Sequence, residues 1–111
     1  MLVRIDTKLE WQIARDPSSD RWVAVCRALA ITAEAETWAD LTSILAENVS
    51  ELLVDLYRDG ELAKFLQDRG WLPLVKLPTK MPREGLKFDI PMDLKRVPVT
   101  SLSAKSAHAQ A

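Results

Sequence analysis

The hydrophobic pattern of this chain changes period once, near Thr37, and that change limits the folds open to it. Before Thr37 apolar residues recur at every second position, as in half-buried strands, and after it every three or four residues, as in an amphipathic helix. Strands followed by helices in this way are typical of α+β domains. The sequence therefore predicts an α+β fold, with one long helix packed on one face of a three- to four-stranded, mostly antiparallel sheet.

Three strands are predicted before the helix. The first carries its apolar residues at odd positions, namely Val3, Ile5, Leu9, Trp11 and Ile13. The turn residues 16–20 separate it from a second strand that begins at residue 21, is apolar on both faces and is expected to lie centrally. A third strand, 31–36, has one acidic and exposed face that includes Glu34 and Glu36. Among the tryptophans, we expect Trp11 and Trp38 in the core and Trp22 partly exposed.

The helical region has clear boundaries in the sequence. Thr37 is a suitable N-cap, and Gly60 is expected to end a long helix at about Arg58. Its apolar stripe consists of Trp38, Leu41, Ile44, Leu45, Val49, Leu52, Leu53 and Leu56. A second, short helix follows and is closed by Gly70. The predicted order of elements up to this point is β-β-β-α-α.

The remaining chain predicts a connector and one more strand. Residues 71–85 contain three prolines and are interpreted as a connector, and 86–96 alternate in polarity as a strand. Pro91 lacks a ladder donor, so this strand is expected at a sheet edge. Residues 98–111 have no apolar pattern and are predicted to be a disordered tail. Residues 1–97 are thus predicted to form a single domain.

The residues that most enzymes use are scarce in this chain. The single histidine, His108, falls in the predicted tail, and no glycine-rich phosphate loop is present. The single cysteine, Cys26, is interpreted as a small core residue on a strand rather than a nucleophile. Glu34, Glu36 and Asp40 are not expected to form a metal site, since no second cluster completes the coordination. We therefore expect no catalytic residue, no cofactor and no metal: the chain is predicted not to be an enzyme.

Charge is distributed unevenly along the chain. Residues 1–70 hold 8 basic and 13 acidic residues, net −5, whereas 71–111 hold 7 and 3, net +4. An acidic folded body favours a basic partner, although both regions could equally be solvated surface. The basic residues after 71 lack helix-turn-helix spacing and, apart from Phe88, interleaved aromatics, so specific DNA binding is not expected.

The sequence also gives expectations about location. It has no signal-peptide pattern and no apolar run approaching the roughly 20 residues that span a bilayer. A lone cysteine suits a reducing compartment. We expect a cytoplasmic protein with no membrane association.

Three short segments carry a resemblance to a known family. They are residues 11–16 (WQIARD), 20–26 (DRWVAVC) and 33–41 (AEAETWADL). Together they resemble the HicB-like group, which comprises the antitoxins of HicA–HicB toxin–antitoxin pairs and their stand-alone relatives. The resemblance is greatest to a small stand-alone branch whose third strand ends in an AEAET-like segment. It covers about residues 9–60.

The resemblance implies a partial RNase-H-like fold without the nuclease carboxylates. In the family this module binds and blocks a small basic toxin that cleaves mRNA. Full HicB antitoxins also carry a C-terminal DNA-binding domain, whereas residues 71–111 of this chain supply one strand pattern and a tail.

Two functional hypotheses follow. The first is an antitoxin-like, non-catalytic module that binds a small basic protein such as a HicA-like toxin. Its expected contact residues are Glu34 and Glu36 with Arg21 and, as an apolar anchor, Trp22. The second is a structural domain that associates with a copy of itself through a sheet edge or a helix. A homodimer is expected in either case, because short sheets leave exposed edges.

Overall fold

The computed structural model describes residues 1–102 of the 111-residue chain. His108 and most of the predicted tail lie outside this range, whereas residues 99–102 at its end are helical. The protein is α+β, as predicted, with strands β1 (Leu2–Asp6), β2 (Leu9–Asp16), β3 (Arg21–Cys26), β4 (Ile31–Ala35), β5 (Leu72–Pro73), β6 (Lys87–Asp89) and β7 (Met92–Arg96), and helices α1 (Trp38–Arg58) and α2 (Leu62–Arg69).

The chain forms two compact units. The first unit comprises Met1–Lys8 and Leu45–Pro91, and the second comprises Leu9–Ile44 and, among the described residues, 92–102. Helix α1 contributes to both, since its residues 38–44 belong to the second unit and 45–58 to the first. The predicted domain, 1–97, contains the whole of the first unit and the second unit as far as residue 97.

The second unit is built on a four-stranded sheet in the order β4-β3-β2-β7. Strands β2, β3 and β4 are antiparallel neighbours, and β7 runs parallel to β2. Strand β3 is internal, as its two apolar faces predicted. The β2–β3 turn has Asp20 at a φ of 58°, and its amide donates to the Asp16 carbonyl at 2.7 Å. The predicted second and third strands are confirmed.

The first unit contains a three-stranded sheet in the order β5-β1-β6. Strand β1 is antiparallel to β5 and parallel to β6. The long segment that follows α2 is held at its centre by the Tyr57 hydroxyl, which donates to the Pro78 carbonyl at 2.6 Å.

The prediction of one mostly antiparallel sheet is wrong, because residues 1–102 form two sheets, each with parallel and antiparallel pairs. The predicted first strand divides into β1 and β2, since the Thr7 amide donates to the Ile5 carbonyl at 3.1 Å and so turns the chain locally. The predicted last strand divides into β6 and β7 around Pro91, which has no amide hydrogen to continue a ladder. Both β6 and β7 lie at sheet edges, as Pro91 predicted.

The helix boundaries agree with the prediction. The Asp40 amide donates to the Thr37 hydroxyl at 3.1 Å, which caps the start of α1. Gly60 follows the last turn with a φ of 73°, a left-handed conformation that glycine adopts without strain. Along α1 the residues Leu41, Leu45, Val49 and Leu53 recur every fourth position and are almost fully buried.

Tryptophan positions were predicted only in part. Trp11 is fully buried, and its indole N–H donates to the Met92 sulfur at 3.1 Å. Trp22 is half-buried, as expected. Trp38 is 38% exposed, so its assignment to the core is wrong. It begins α1, where the helix has no preceding turn to cover it. In the part of the chain that the structure describes, neither helix is long and apolar enough to cross a membrane.

Candidate protein-binding surface

Strand β4 forms one edge of the four-stranded sheet. Its sequence, ITAEA, alternates so that Ala33 and Ala35 are buried while Thr32 and Glu34 are exposed. Glu36 directly follows the strand. The side chains of Glu34 and Glu36 are 61% and 81% exposed. Two solvated carboxylates therefore lie at this edge of the sheet. Within residues 1–102, no further strand forms hydrogen bonds with the outer backbone groups of β4.

Arg21 on the neighbouring strand lies between these carboxylates. Its guanidinium is 3.6 Å from Glu34 and 3.5 Å from Glu36, measured from N to carboxylate O, and its side chain is 34% exposed. The Arg21 Nε–H is buried and has no hydrogen-bond partner among residues 1–102, because the approach of Glu34 is slightly too long. The positive charge of Arg21 is thus shared by two carboxylates, and the three side chains together keep a net negative charge. We name Arg21, Glu34 and Glu36 the acidic edge.

Trp22 does not belong to the acidic edge. It follows Arg21 in β3, and successive strand residues point to opposite sheet faces. Its ring packs edge-on against Trp38 with centroids 5.2 Å apart. The Arg96 guanidinium lies 4.9 Å from the Trp22 ring centroid and the Arg15 guanidinium 5.9 Å from it. The structure therefore brings three of the four predicted contact residues together and places the fourth in an aromatic–arginine cluster on the other face.

Sequence reasoning missed Trp38 and Arg96 as neighbours of Trp22. The parity of the strands was enough to separate Trp22 from Arg21, since the two are adjacent. The position of Arg96 could not be inferred in this way. It depends on the parallel pairing of β7 with β2, which sets Arg96 opposite Ile13 and is formed between segments far apart in sequence.

Cys26 is fully buried, and this burial raises the pKa of its thiol, so the nucleophilic thiolate is disfavoured. Within residues 1–102, no three histidine, cysteine, aspartate or glutamate side chains come together in a way that could hold a metal ion. The acidic edge can form ion pairs through its side chains and can pair with an added strand through the backbone of β4.

Comparisons of this chain with protein-family models, with curated proteins and with solved structures find no match.

Proposed function

We propose that this protein is a non-catalytic protein-binding module of the antitoxin type, whose partner is a small basic protein such as a toxin. The observation that carries the proposal is the position of Glu34 and Glu36 on a sheet edge, largely solvated and sharing one arginine. A solvated anionic edge attracts cations over distances of about 10 Å at moderate ionic strength.

Backbone pairing would give this surface its affinity. Strand β4 is five residues long, and its outer amides and carbonyls are available for an added strand. A partner strand with lysine or arginine at alternate positions would set its cations beside Glu34. The carboxylates would then select the partner, and the main chain would hold it.

The resemblance to the HicB-like group supports the same proposal. The segments that carry it lie in β2, in β3, and across the end of β4 and the start of α1. We propose on this basis that the strands and α1 correspond to the partial RNase-H-like module of that group and that the protein acts in the cytoplasm. Blocking a toxin would require the acidic edge to occupy the surface on which that toxin receives RNA phosphates.

The experiment is a pull-down from the native host with wild-type protein and two double variants. Glu34→Lys/Glu36→Lys reverses the acidic edge, and Asp59→Lys/Asp68→Lys makes the same charge change at exposed positions elsewhere. We expect a small basic protein with the wild type and the control but not with the edge variant. Recovery of no basic protein, or equal recovery with both variants, would contradict the proposal.

A second candidate function, self-association, is favoured by a different observation. Three of the large apolar side chains that are exposed lie together after α2: Leu72, Leu74 and Val75, with exposures of 62%, 60% and 47%. Strand β5, which contains Leu72, is also a sheet edge. Exposed apolar edges of this kind are sites of association between proteins. A second copy of the chain is the occupant that this candidate requires.

Self-association is tested by measuring mass in solution. Light scattering of the wild type across micromolar concentrations should give twice the chain mass of 12.5 kDa. The variant Leu72→Ser/Leu74→Ser should be a monomer, whereas Leu2→Ser, which changes another exposed leucine, should remain a dimer. A monomeric wild type would exclude this candidate.

A further inference from the structure

An exposed tryptophan, Trp38, follows the acidic edge closely in the chain. It begins α1 three residues after Ala35, the last residue of β4. Its side chain is 38% exposed, and its ring packs edge-on against Trp22 with centroids 5.2 Å apart. An indole that is already ordered offers contact area at low entropic cost, and tryptophan is enriched among the residues that contribute most to protein interfaces. Trp38 therefore has the properties of an apolar anchor.

Trp38 lies on the face of the sheet opposite to Glu34. In the register of β3 with β4, Trp22 is directly opposite Ala35. Residues that are opposite each other in a ladder share a face, and successive residues alternate between faces. Trp22, Ala33 and Ala35 therefore share one face, which we name the inner face because both alanines are buried. Trp38 contacts Trp22 on this inner face, whereas the side chain of Glu34 is on the outer face.

The two faces differ in charge at this end of the sheet. The acidic edge gives the outer face a net negative charge. On the inner face the guanidinium groups of Arg15 and Arg96 lie 5.9 Å and 4.9 Å from the centroid of the Trp22 ring. Arg15 is paired with Asp20 at 2.6 Å, whereas Arg96 forms no ion pair within residues 1–102. A strand added to β4 would thus meet carboxylates on one face, and an exposed indole near an unneutralised arginine on the other.

We propose that the partner strand is amphipathic: lysine or arginine alternates with large apolar residues, and the apolar residues dock against Trp38. The inference rests on the proposed function and extends the acidic edge to a two-sided site, in which Trp38 is the apolar anchor that Trp22 was expected to be. A strand paired along Ile31–Ala35 places two or three side chains on each face. Ala33 and Ala35 are small, so a long apolar side chain of the partner is needed to reach past them; diagonal neighbours about 7–8 Å apart are within its reach.

The probe is a capped peptide of seven residues that alternates lysine with leucine, and its binding is followed by fluorescence polarisation of a labelled form. A second peptide has serine in place of each leucine. A third has the composition of the first, with its lysines and leucines in two blocks. We expect saturable binding of the alternating peptide with a Kd below about 1 mM. The other two should bind about tenfold more weakly or worse, because one lacks apolar residues and the other cannot confine its cations to one face.

Variants of the protein test the role of Trp38. Trp38→Ala should weaken binding of the alternating peptide by about tenfold or more, whereas Trp38→Phe, which keeps an aromatic ring, should weaken it less. Leu2→Ala removes another exposed apolar side chain, in the first unit, and should leave binding unchanged. Circular dichroism checks that each variant is folded. If Trp38→Ala is not folded, the serine peptide makes the same test on the wild-type protein.

The outcomes separate this inference from the proposed function. Equal binding of the alternating and serine peptides, with both lost in Glu34→Lys/Glu36→Lys, would remove the role of Trp38 and leave the acidic edge intact. Unchanged binding by a folded Trp38→Ala protein would do the same. Loss of binding in Trp38→Ala but not in Glu34→Lys/Glu36→Lys would contradict the acidic edge, and with it the two-sided site. Absence of saturable binding of the alternating peptide up to about 1 mM would overturn the inference, while the pull-down tests the proposed function independently.

Discussion

At the scale of single residues, the reactivity of the Cys26 thiol is a measure of burial in the core of the second unit. Cys26 lies on the internal strand β3, has no exposed surface, and its pKa is raised by burial. Because the pKa of the thiol is higher in the folded protein than in the unfolded chain, folding favours the neutral thiol over the thiolate. The contribution of this difference to the free energy of unfolding is present at neutral pH. It is lost as the pH rises through the pKa of the unfolded thiol toward that of the folded one.

We predict that Cys26 is unreactive in the native protein. With a disulfide reagent such as DTNB at pH 8, modification should be limited by opening of the sheet, and it should become fast in denaturant, where the thiol is exposed. The matched control is a surface cysteine introduced as Ala28→Cys in the Cys26→Ala background, since Ala28 is exposed. If native Cys26 reacted as fast as this control, its burial in β3 would be wrong.

Arg21 is the second residue with a testable role. Both carboxylate partners of Arg21 are largely solvated, and its buried Nε–H has no acceptor within residues 1–102, so Arg21→Gln should change the free energy of unfolding by less than about 1 kcal/mol. Removing its charge leaves Glu34 and Glu36 unneutralised. We therefore predict faster association of Arg21→Gln with a basic partner at low salt, measured by surface plasmon resonance. Slower association would instead make Arg21 a contact residue in its own right.

At the scale of elements, local signals in the sequence were sufficient for α1, β3 and β4. The N-cap at Thr37 and the glycine after α1 set the ends of that helix. A run that is apolar on both faces predicted β3, and alternation predicted β4. Pairing between distant segments was not predictable in this way. The parallel partners of β1 and β2 come from residues 87–96. The break between β1 and β2 was missed for another reason: it depends on the hydrogen bond of the Thr7 amide. The apolar residues continue on odd positions across this break, so their alternation does not reveal it.

Burial along α1 gives a prediction at this scale. Leu45 and Leu53 are almost fully buried, whereas Leu52 is only half-buried, although all three belong to the apolar stripe in the sequence. Leu45→Ala and Leu53→Ala should each cost about 2–5 kcal/mol of stability, the range for buried leucines. Leu52→Ala should cost clearly less. Urea denaturation measures all three, and equal losses would contradict the burial pattern.

At the scale of the whole molecule, the proposed function depends on one surface, the acidic edge formed by Arg21, Glu34 and Glu36. Its exposed carboxylates and unpaired strand edge lie together in one unit, and a single arginine offsets them. Such a surface is expected to gain its association rate from long-range attraction and its residence time from strand pairing. The first effect weakens with salt, and the second does not.

The most direct test is therefore the association rate of the wild type and of Glu34→Lys/Glu36→Lys with the basic protein that co-purifies, measured at low and high salt. We predict that the wild-type rate is at least about tenfold higher than the variant rate at low salt and that the two converge at high salt. Equal rates at low salt, or the absence of any basic protein bound to the wild type, would contradict the account.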